Sequence, residues 1–248
     1  MDRIKELPPW DRLLKRIVWE QLGEFTGKKI LDFGSGEGIT ANHFAERNAV
    51  VAVEPSQEML RNRWADYEYK QIVGDVARLS DLEDGSFDVV ICHNVLEYLE
   101  EKEQVIKELC RLLKAGGLLS IVKHNRAGRV MQMAVLLDDL AKANELLDGN
   151  DGSSSQFGAI RYYEDEQIEE WSNGLTRLET FGIRTFWDLQ QNQEKHGTEE
   201  WQRQMMQLEM RVSKIEEYRG VAFFHHLLFR KEGLRLSSAG TTGQSDTP

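Results

Sequence analysis

The chain has little cysteine, little proline, no long apolar run and no surplus of positive charge. Its 248 residues include two cysteines and four prolines. Two thiols, Cys92 and Cys110, make no disulfide framework, so the fold must rest on a packed core, and a reducing, cytoplasmic setting is expected. Cys92 lies inside the run Val89-Val90-Ile91-Cys92 and reads as a small buried hydrophobe. No apolar stretch approaches the ~18 residues of a membrane span. The opening MDRIKELPPWDRLLKR lacks the continuous apolar segment of a secretory signal. Against 42 acidic side chains stand 31 Lys and Arg, a formal net charge of −11. That balance argues against diffuse electrostatic binding of nucleic acid, although a local basic patch can still dock one. What is present suffices for a core: 40 % of the residues are apolar, enough for one large domain or a domain with an insert.

Through the first hundred-odd residues, short Val- and Ile-rich runs alternate with segments of helical periodicity. Residues 29–33, 50–54, 69–74, 88–93 and 118–122 read as buried strands, and 39–47, 56–67 and 101–113 as helices. Such alternation predicts an α/β fold with a mostly parallel sheet covered on both faces. Lys114-Ala115-Gly116-Gly117 reads as a helix stop. The rhythm then changes. Residues 128–147 read as one helix, GNDGSSSQFG (149–158) as a loop, 164–171 as a helix and 175–186 as a strand broken at Gly182. A long helix over 198–218 and a final strand over 221–230 follow, and the small polar tail 233–248 is expected to be disordered. The methionines of the 198–218 helix read as core, with pocket lining as the alternative.

The segment Ile30-Leu31-Asp32-Phe33-Gly34-Ser35-Gly36-Glu37-Gly38 poses the functional question. A plain turn does not need three alternating glycines, which cost entropy. A phosphate loop would need a Gly-Lys-Ser/Thr end, which is absent. The dinucleotide fingerprint fails at its last element, where Ile39 replaces a small residue. Asp32, two residues before the turn, would repel a pyrophosphate and attract an ammonium or a sulfonium. S-adenosylmethionine carries both cations and no phosphate. Further acids close the next two strands. Glu54, in Val51-Ala52-Val53-Glu54-Pro55-Ser56, can accept ribose hydroxyls. Asp75, in Val73-Gly74-Asp75-Val76, can accept from an adenine amine while Val76 packs on the ring.

As a set, DFGSGEG, AVEPS, VGDV, FDVVICHNVLEYL and LLKAGGLLSIV resemble the class I S-adenosylmethionine-dependent methyltransferases over about residues 25–125. The resemblance implies a Rossmann-like, seven-stranded, mostly parallel sheet whose last strand is antiparallel. It implies S-adenosylmethionine as cofactor, met by Gly34, Ser35 and Gly36 at the methionine part, Glu54 at the ribose, Asp75 and Val76 at the adenine and His93 near the sulfur. It divides the chain into a cofactor-binding core with an N-terminal helix (1–125), a helical lid and loop insertion after strand five (126–160), the rest of the sheet with substrate-side helices (161–232), and the tail.

A thinner resemblance covers most of the chain. HNVLEY (93–98), KHNRAG (123–128) and FGIRTF (181–186) are similar to the bacterial tRNA 5-carboxymethoxyuridine methyltransferase family, which implies a carboxylate on a wobble uridine in the tRNA anticodon loop as acceptor. Members of that family carry a second arginine soon after the first in the N-terminal segment, where this chain reads Asp11-Arg12-Leu13-Leu14. Any cofactor contact from that segment is therefore left to Arg12. A carboxylate acceptor is already ionised at neutral pH and needs an arginine to orient it rather than a base. Arg184 is the candidate, with Arg126 and Arg129 near the same mouth. His93 and His124 end neighbouring strands and would flank the transfer mouth as polar lining or, one of them, as a base for a hydroxyl or amine acceptor, with His124 the candidate catalytic residue. One of His225 and His226 should face the core. No metal site is expected. The rival readings are a small-molecule methyltransferase with the same cofactor site, a nicotinamide-dependent oxidoreductase, and a catalytically silent cofactor binder.

Overall fold

The structure, a computed structural model, describes residues 3–172 and 174–233. The tail expected over 233–248 lies, but for Gly233, outside the described residues. After a 3₁₀ turn at Arg3–Glu6 comes helix α1 (Pro9–Leu22), which starts on a proline at its first position, where no amide donor is needed, and stops at Gly23 with φ 76°. The core then alternates: β1 (Lys29–Phe33), α2 (Ile39–Ala45), β2 (Ala49–Glu54), α3 (Gln57–Arg61), β3 (Lys70–Val73), β4 (Phe87–His93), α4 (Lys102–Leu112) and β5 (Leu113–His124).

Beyond β5 lie α5 (Arg126–Met131), a π turn (Gln132–Leu136), α6 (Leu140–Leu147), the hairpin β6 (Gly152–Ser154) and β7 (Gly158–Ile160), and α7 (Gln167–Glu170). They are followed by β8 (Leu175–Ile183), α8 (Glu199–Val212), α9 (Glu216–Arg219) and β9 (Phe224–Lys231).

The seven-stranded sheet runs in the order β3-β2-β1-β4-β5-β9-β8. The strands from β1 to β5 pair in parallel, while β9 runs antiparallel to both of its neighbours, β5 and β8. This is the largely parallel sheet with an antiparallel last strand that the motif set implied. The order reverses between β1 and β4, and the carboxyl ends of strands at such a reversal form the crevice where ligands bind in open α/β sheets. Alternation along each strand supplies two apolar layers. Ile30, Val50, Ala52, Val89 and Ile91 pack with Leu13, Ile17 and Val18 of α1 and Met205 of α8. Leu31, Phe33, Val53, Val90 and Cys92 pack with Val105, Ile106 and Leu109 of α4. No helix among the described residues is long and apolar enough to cross a membrane.

Several expected elements differ, each for a tertiary reason. The 56–67 helix stops at Arg61, because Trp64 N bonds Glu37 O at 2.8 Å and Asp66 N bonds Asn42 Oδ1 at 2.7 Å, which ties the chain to α2. The single helix over 128–147 is broken: the π turn, Asp138 at φ 52° and a new N-cap at Asp139, which accepts from Lys142 N, restart it as α6. The 149–158 loop contains the hairpin, whose turn Ser154 Oγ steadies by accepting from Gln156 N and Phe157 N, both at 3.3 Å. Strand β5 runs through the expected glycine stop and begins at Leu113. The 175–186 strand ends at Ile183, since Arg184 adopts φ 60°. Gly182 does not break it; its N–H bonds Ser213 O at 2.7 Å, the point where α8 yields to α9.

Candidate active site

β1 delivers Asp32 to the rim on its Ile30 face, beneath α1 and α2. The carboxylate is 3 % exposed, and its Oδ2 has no hydrogen-bond partner. Burial pushes its pKa up to about 6, opposed by Lys15 and the Ala41 amide and assisted by Glu54. Lys15, from α1, reaches Thr40 Oγ1 at 3.4 Å. The three glycines after β1 are all left-handed, at φ 72°, 56° and 71°, for different reasons. A Cβ on Gly34 would strike Val95 Cγ2 at 2.3 Å, and one on Gly38 would strike the Tyr69 hydroxyl at 2.1 Å, so both are required by protein packing. At Gly36 the nearest atom would be Met59 Sδ at 3.9 Å, so this backbone alone of the three is open to an approaching ligand.

Glu54 fixes that loop. Its Oε2 accepts from Gly36 N and its Oε1 from Ser56 N, both at 2.8 Å. Each carboxylate oxygen keeps a further lone pair, and Ser35 Oγ is buried without a partner. Asp32, Gly34–Gly36 and Glu54 are thus one cluster. Asp75 stands at the neighbouring strand end, exposed, its Oδ1 accepting from Ala77 N at 3.0 Å, with Val76 half-buried beside it.

The rim continues through β4. His93 Nε2 lies 2.7 Å from Ser120 Oγ, and Asn94 is strained at φ 55°. At the end of β5, His124 Nε2 lies 3.3 Å from the Tyr98 hydroxyl and 3.8 Å from Glu97 Oε1, while its Nδ1 is buried without a partner. Burial, then the Arg129 and Arg184 charges, lower the His124 pKa to about 3, so it is neutral at pH 7. Glu97, 1 % exposed, is pushed up to about 7 by burial against its amide contacts and Lys123.

The arginines divide three ways. Arg126 donates to the carbonyls of Leu146 and Asn150 and lies over Tyr162, so it ties α5 to the end of α6 and the loop after it. Arg184 is buried and forks onto Asp188, with Nε to Oδ2 at 2.8 Å, its Cζ 5.0 Å from the Phe223 ring. Arg129 lies 5.7 Å over the same ring and donates to the neutral amide of Gln132, which in turn donates to Asp188 Oδ1 at 2.9 Å. The cation best able to meet an acceptor anion is therefore Arg129 rather than Arg184, whose fork is filled.

The match to known proteins falls on this same stretch. Residues 31–121 match a methyltransferase domain family. A ubiquinone biosynthesis O-methyltransferase of Acinetobacter baylyi is 30 % identical over 132 residues, covering 49 % of this chain and 55 % of that protein. The chain thus spans about half the length of the curated relatives it matches. Among solved structures, an S-adenosylmethionine-dependent methyltransferase from Mesorhizobium loti superposes with a TM-score of 0.56 at 16 % identity, covering 92 % of this chain and 100 % of that one. The [4+2]-cyclase SpnF shares the fold at a TM-score of 0.54 and 17 % identity, over 90 % of this chain and 81 % of that one. The last similarity shows that the fold alone does not dictate the reaction.

Within the matched stretch, the glycine turn follows β1, and Asp32, Glu54 and Asp75 lie at or close to the ends of β1, β2 and β3. Sequence reasoning missed Lys15, which the N-terminal segment sends toward Asp32. Arg12 is instead occupied by Glu199 Oε1 at 3.1 Å, and Leu14 is core. It also missed the Gln132–Asp188 bridge and the buried Ser120. Only Asp188 left a signal, its four-residue spacing from Arg184.

Proposed function

We propose that this chain is an S-adenosylmethionine-dependent methyltransferase that modifies an anionic oxygen, with a carboxylate on a modified wobble uridine of tRNA as the named acceptor. The carrying observation for the cofactor is the unpartnered Asp32 Oδ2 beside the open Gly36 backbone and the two-oxygen hold of Glu54. When bound, S-adenosylmethionine supplies a methyl group on a positively charged sulfur. Asp32 would hold the cationic amino end, Glu54 the ribose hydroxyls, and Asp75 with Val76 the adenine, while His93 lines the sulfur end. These residues fit a cationic nucleoside: two buried carboxylates would repel a pyrophosphate.

On the acceptor side, Arg129 orients the anion, and His124, neutral at pH 7, neither repels nor protonates it. Transfer from an activated donor needs alignment and exclusion of water more than proton transfer, and the 126–160 insertion is placed to act as the lid. A second reading, small-molecule O-methylation, is favoured by the name of the Acinetobacter relative.

Calorimetric titration of the purified chain tests the class: saturable binding of S-adenosylhomocysteine and none of NAD is expected, and the reverse overturns it. Mass spectrometry of nucleosides from tRNA incubated with protein and S-adenosylmethionine tests the acceptor. A new methyl ester on a wobble uridine is expected; unchanged tRNA with turnover of a phenol selects the second reading.

A further inference from the structure

Four side chains from four elements form a continuous buried file that ends at the rim. His226 Nδ1 of β9 lies 2.7 Å from Gln21 Oε1 of α1, and His226 Nε2 lies 2.8 Å from Ser120 Oγ of β5. Ser120 Oγ lies 2.7 Å from His93 Nε2 of β4. Strand register explains the assembly. Val122 pairs with both His93 and His226, so Ser120, two residues before it, is the same-face diagonal neighbour of each histidine, and all three face α1. Ser120 and His226 are fully buried.

The file has a direction. The Gln21 amide is assigned with Oε1 toward the ring, which leaves its Nε2 buried without a partner; since a carbonyl oxygen only accepts, His226 Nδ1 then carries the proton and donates to Gln21 Oε1. His226 Nε2 is then bare and accepts from the Ser120 hydroxyl. The Ser120 oxygen in turn accepts from His93 Nε2–H, which leaves His93 Nδ1 as a bare lone pair with no hydrogen bond among the described residues. Both rings are neutral: burial lowers the His226 pKa to about 3, and burial, then His226 and Lys15, lower that of His93. Lys15 on α1 and His226 on β9 are the ionisable groups that act on His93.

We propose that Ser120, His226 and Gln21 are positioning residues that lock His93 in its Nε2–H tautomer and present its Nδ1 lone pair at the rim as an acceptor for a ligand N–H, such as an ammonium. The lock follows from the file itself; the identity of the ligand rests on the cofactor reading above. Nothing in the sequence linked these four positions, since Ser120 reads as one polar residue in an apolar strand and Gln21 as a helix-end amide.

Nuclear magnetic resonance of the full chain, labelled with ¹⁵N in histidine, tests the lock at pH 7 without any activity assay. His93 is expected as Nε2–H and His226 as Nδ1–H, opposite tautomers. The same tautomer in both, a reversed pair, or a charged ring in either overturns it. In Ser120→Ala, which removes one oxygen from the core, His93 should average between tautomers, and the dissociation constant for S-adenosylhomocysteine should rise about fivefold, the loss of one hydrogen bond. Gln21→Met breaks the far end of the file from a helix position and should release both rings even if the serine variant does not fold. Unchanged tautomers in either variant overturn the positioning role. If the wild-type chain binds no S-adenosylhomocysteine, the cofactor reading falls while the resonance result judges the lock on its own.

Discussion

The two halves of the rim treat their buried charges in opposite ways. On the side of β1 and β2, Asp32 Oδ2 and Ser35 Oγ are buried with no partner, and a Cβ on Gly36 would meet nothing nearer than Met59 Sδ at 3.9 Å. On the side of β5 and β8, Arg184, Asp188 and Gln132 satisfy one another and end at Arg129, while Lys123 is held by Asp165, which also meets His225 at 2.8 Å. The first half carries unmet hydrogen-bonding capacity that a ligand can fill. The second has paired its buried charges with one another and presents Arg129, whose side-chain partner is a neutral amide. A buried polar group without a partner costs stability; the first half carries that cost on a carboxylate, at Asp32, and the second on neutral groups such as His124 Nδ1 and Thr185 Oγ1, its buried Arg184 and Lys123 being paired.

The largest effect expected from breaking this comparison lies on the closed side. Asp188→Ala would leave the buried Arg184 charge unpaired and should cost ~3–5 kcal/mol of stability in urea unfolding, while S-adenosylhomocysteine affinity stays within about twofold. A loss below about 1 kcal/mol would show that the Arg184 fork is solvated.

On the open side the sign reverses. The Asp32 carboxyl is raised from 3.8 to about 6 on folding, so the folded state holds its proton more tightly than the unfolded chain does. Its stabilising protonated form is present below about pH 4 and is lost as pH rises through 6. Above that pH the carboxylate costs the fold on the order of 2–3 kcal/mol. Asp32→Asn should therefore be more stable than wild type at pH 7, the gap opening between pH 4 and 6, while binding S-adenosylmethionine more weakly. A stability gap independent of pH would break the comparison.

The smallest change in stability is expected at Arg129. Arg129→Ala removes a half-buried cation bonded to an amide and should change unfolding free energy by less than about 1 kcal/mol. Methyl transfer to an anionic acceptor should nevertheless fall at least about tenfold, the worth of one charge-assisted hydrogen bond. An unchanged rate would place acceptor recognition elsewhere on the rim.

The open half was also the more legible in sequence. Strand-end acids and a glycine turn are fixed by local geometry: the period-2 alternation that buries Ile30 also sets Asp32 on that face, and the turn follows within two residues. The closed half depends on partners far apart in the chain. Glu209 of α8 reads as one acid on a helix that shows water a charged face, yet it is fully buried and accepts from the amides of Thr185, Phe186 and Trp187, at 2.8, 2.9 and 3.3 Å. That clamp shapes the turn after β8 in which Arg184 sits, and no spacing rule reaches across 22 residues to find it. Lys15 was obscured likewise: a lysine on an amphipathic helix reads as a solvated charge unless the neighbouring strand end is known.

The place of β9 in the sheet has a consequence for how the chain is made. Among the described residues this strand is the last in sequence, is inserted between β5 and β8 and is the only neighbour of β8. On the ribosome, the five strands through β5 can emerge and pair while the later ones are still unmade, whereas β8 has no edge to join until residues 224–231 have left the exit tunnel. The crevice at the ends of β1 and β4 is therefore expected to be laid down first, and Arg184 with its surrounding wall only once β9 has followed.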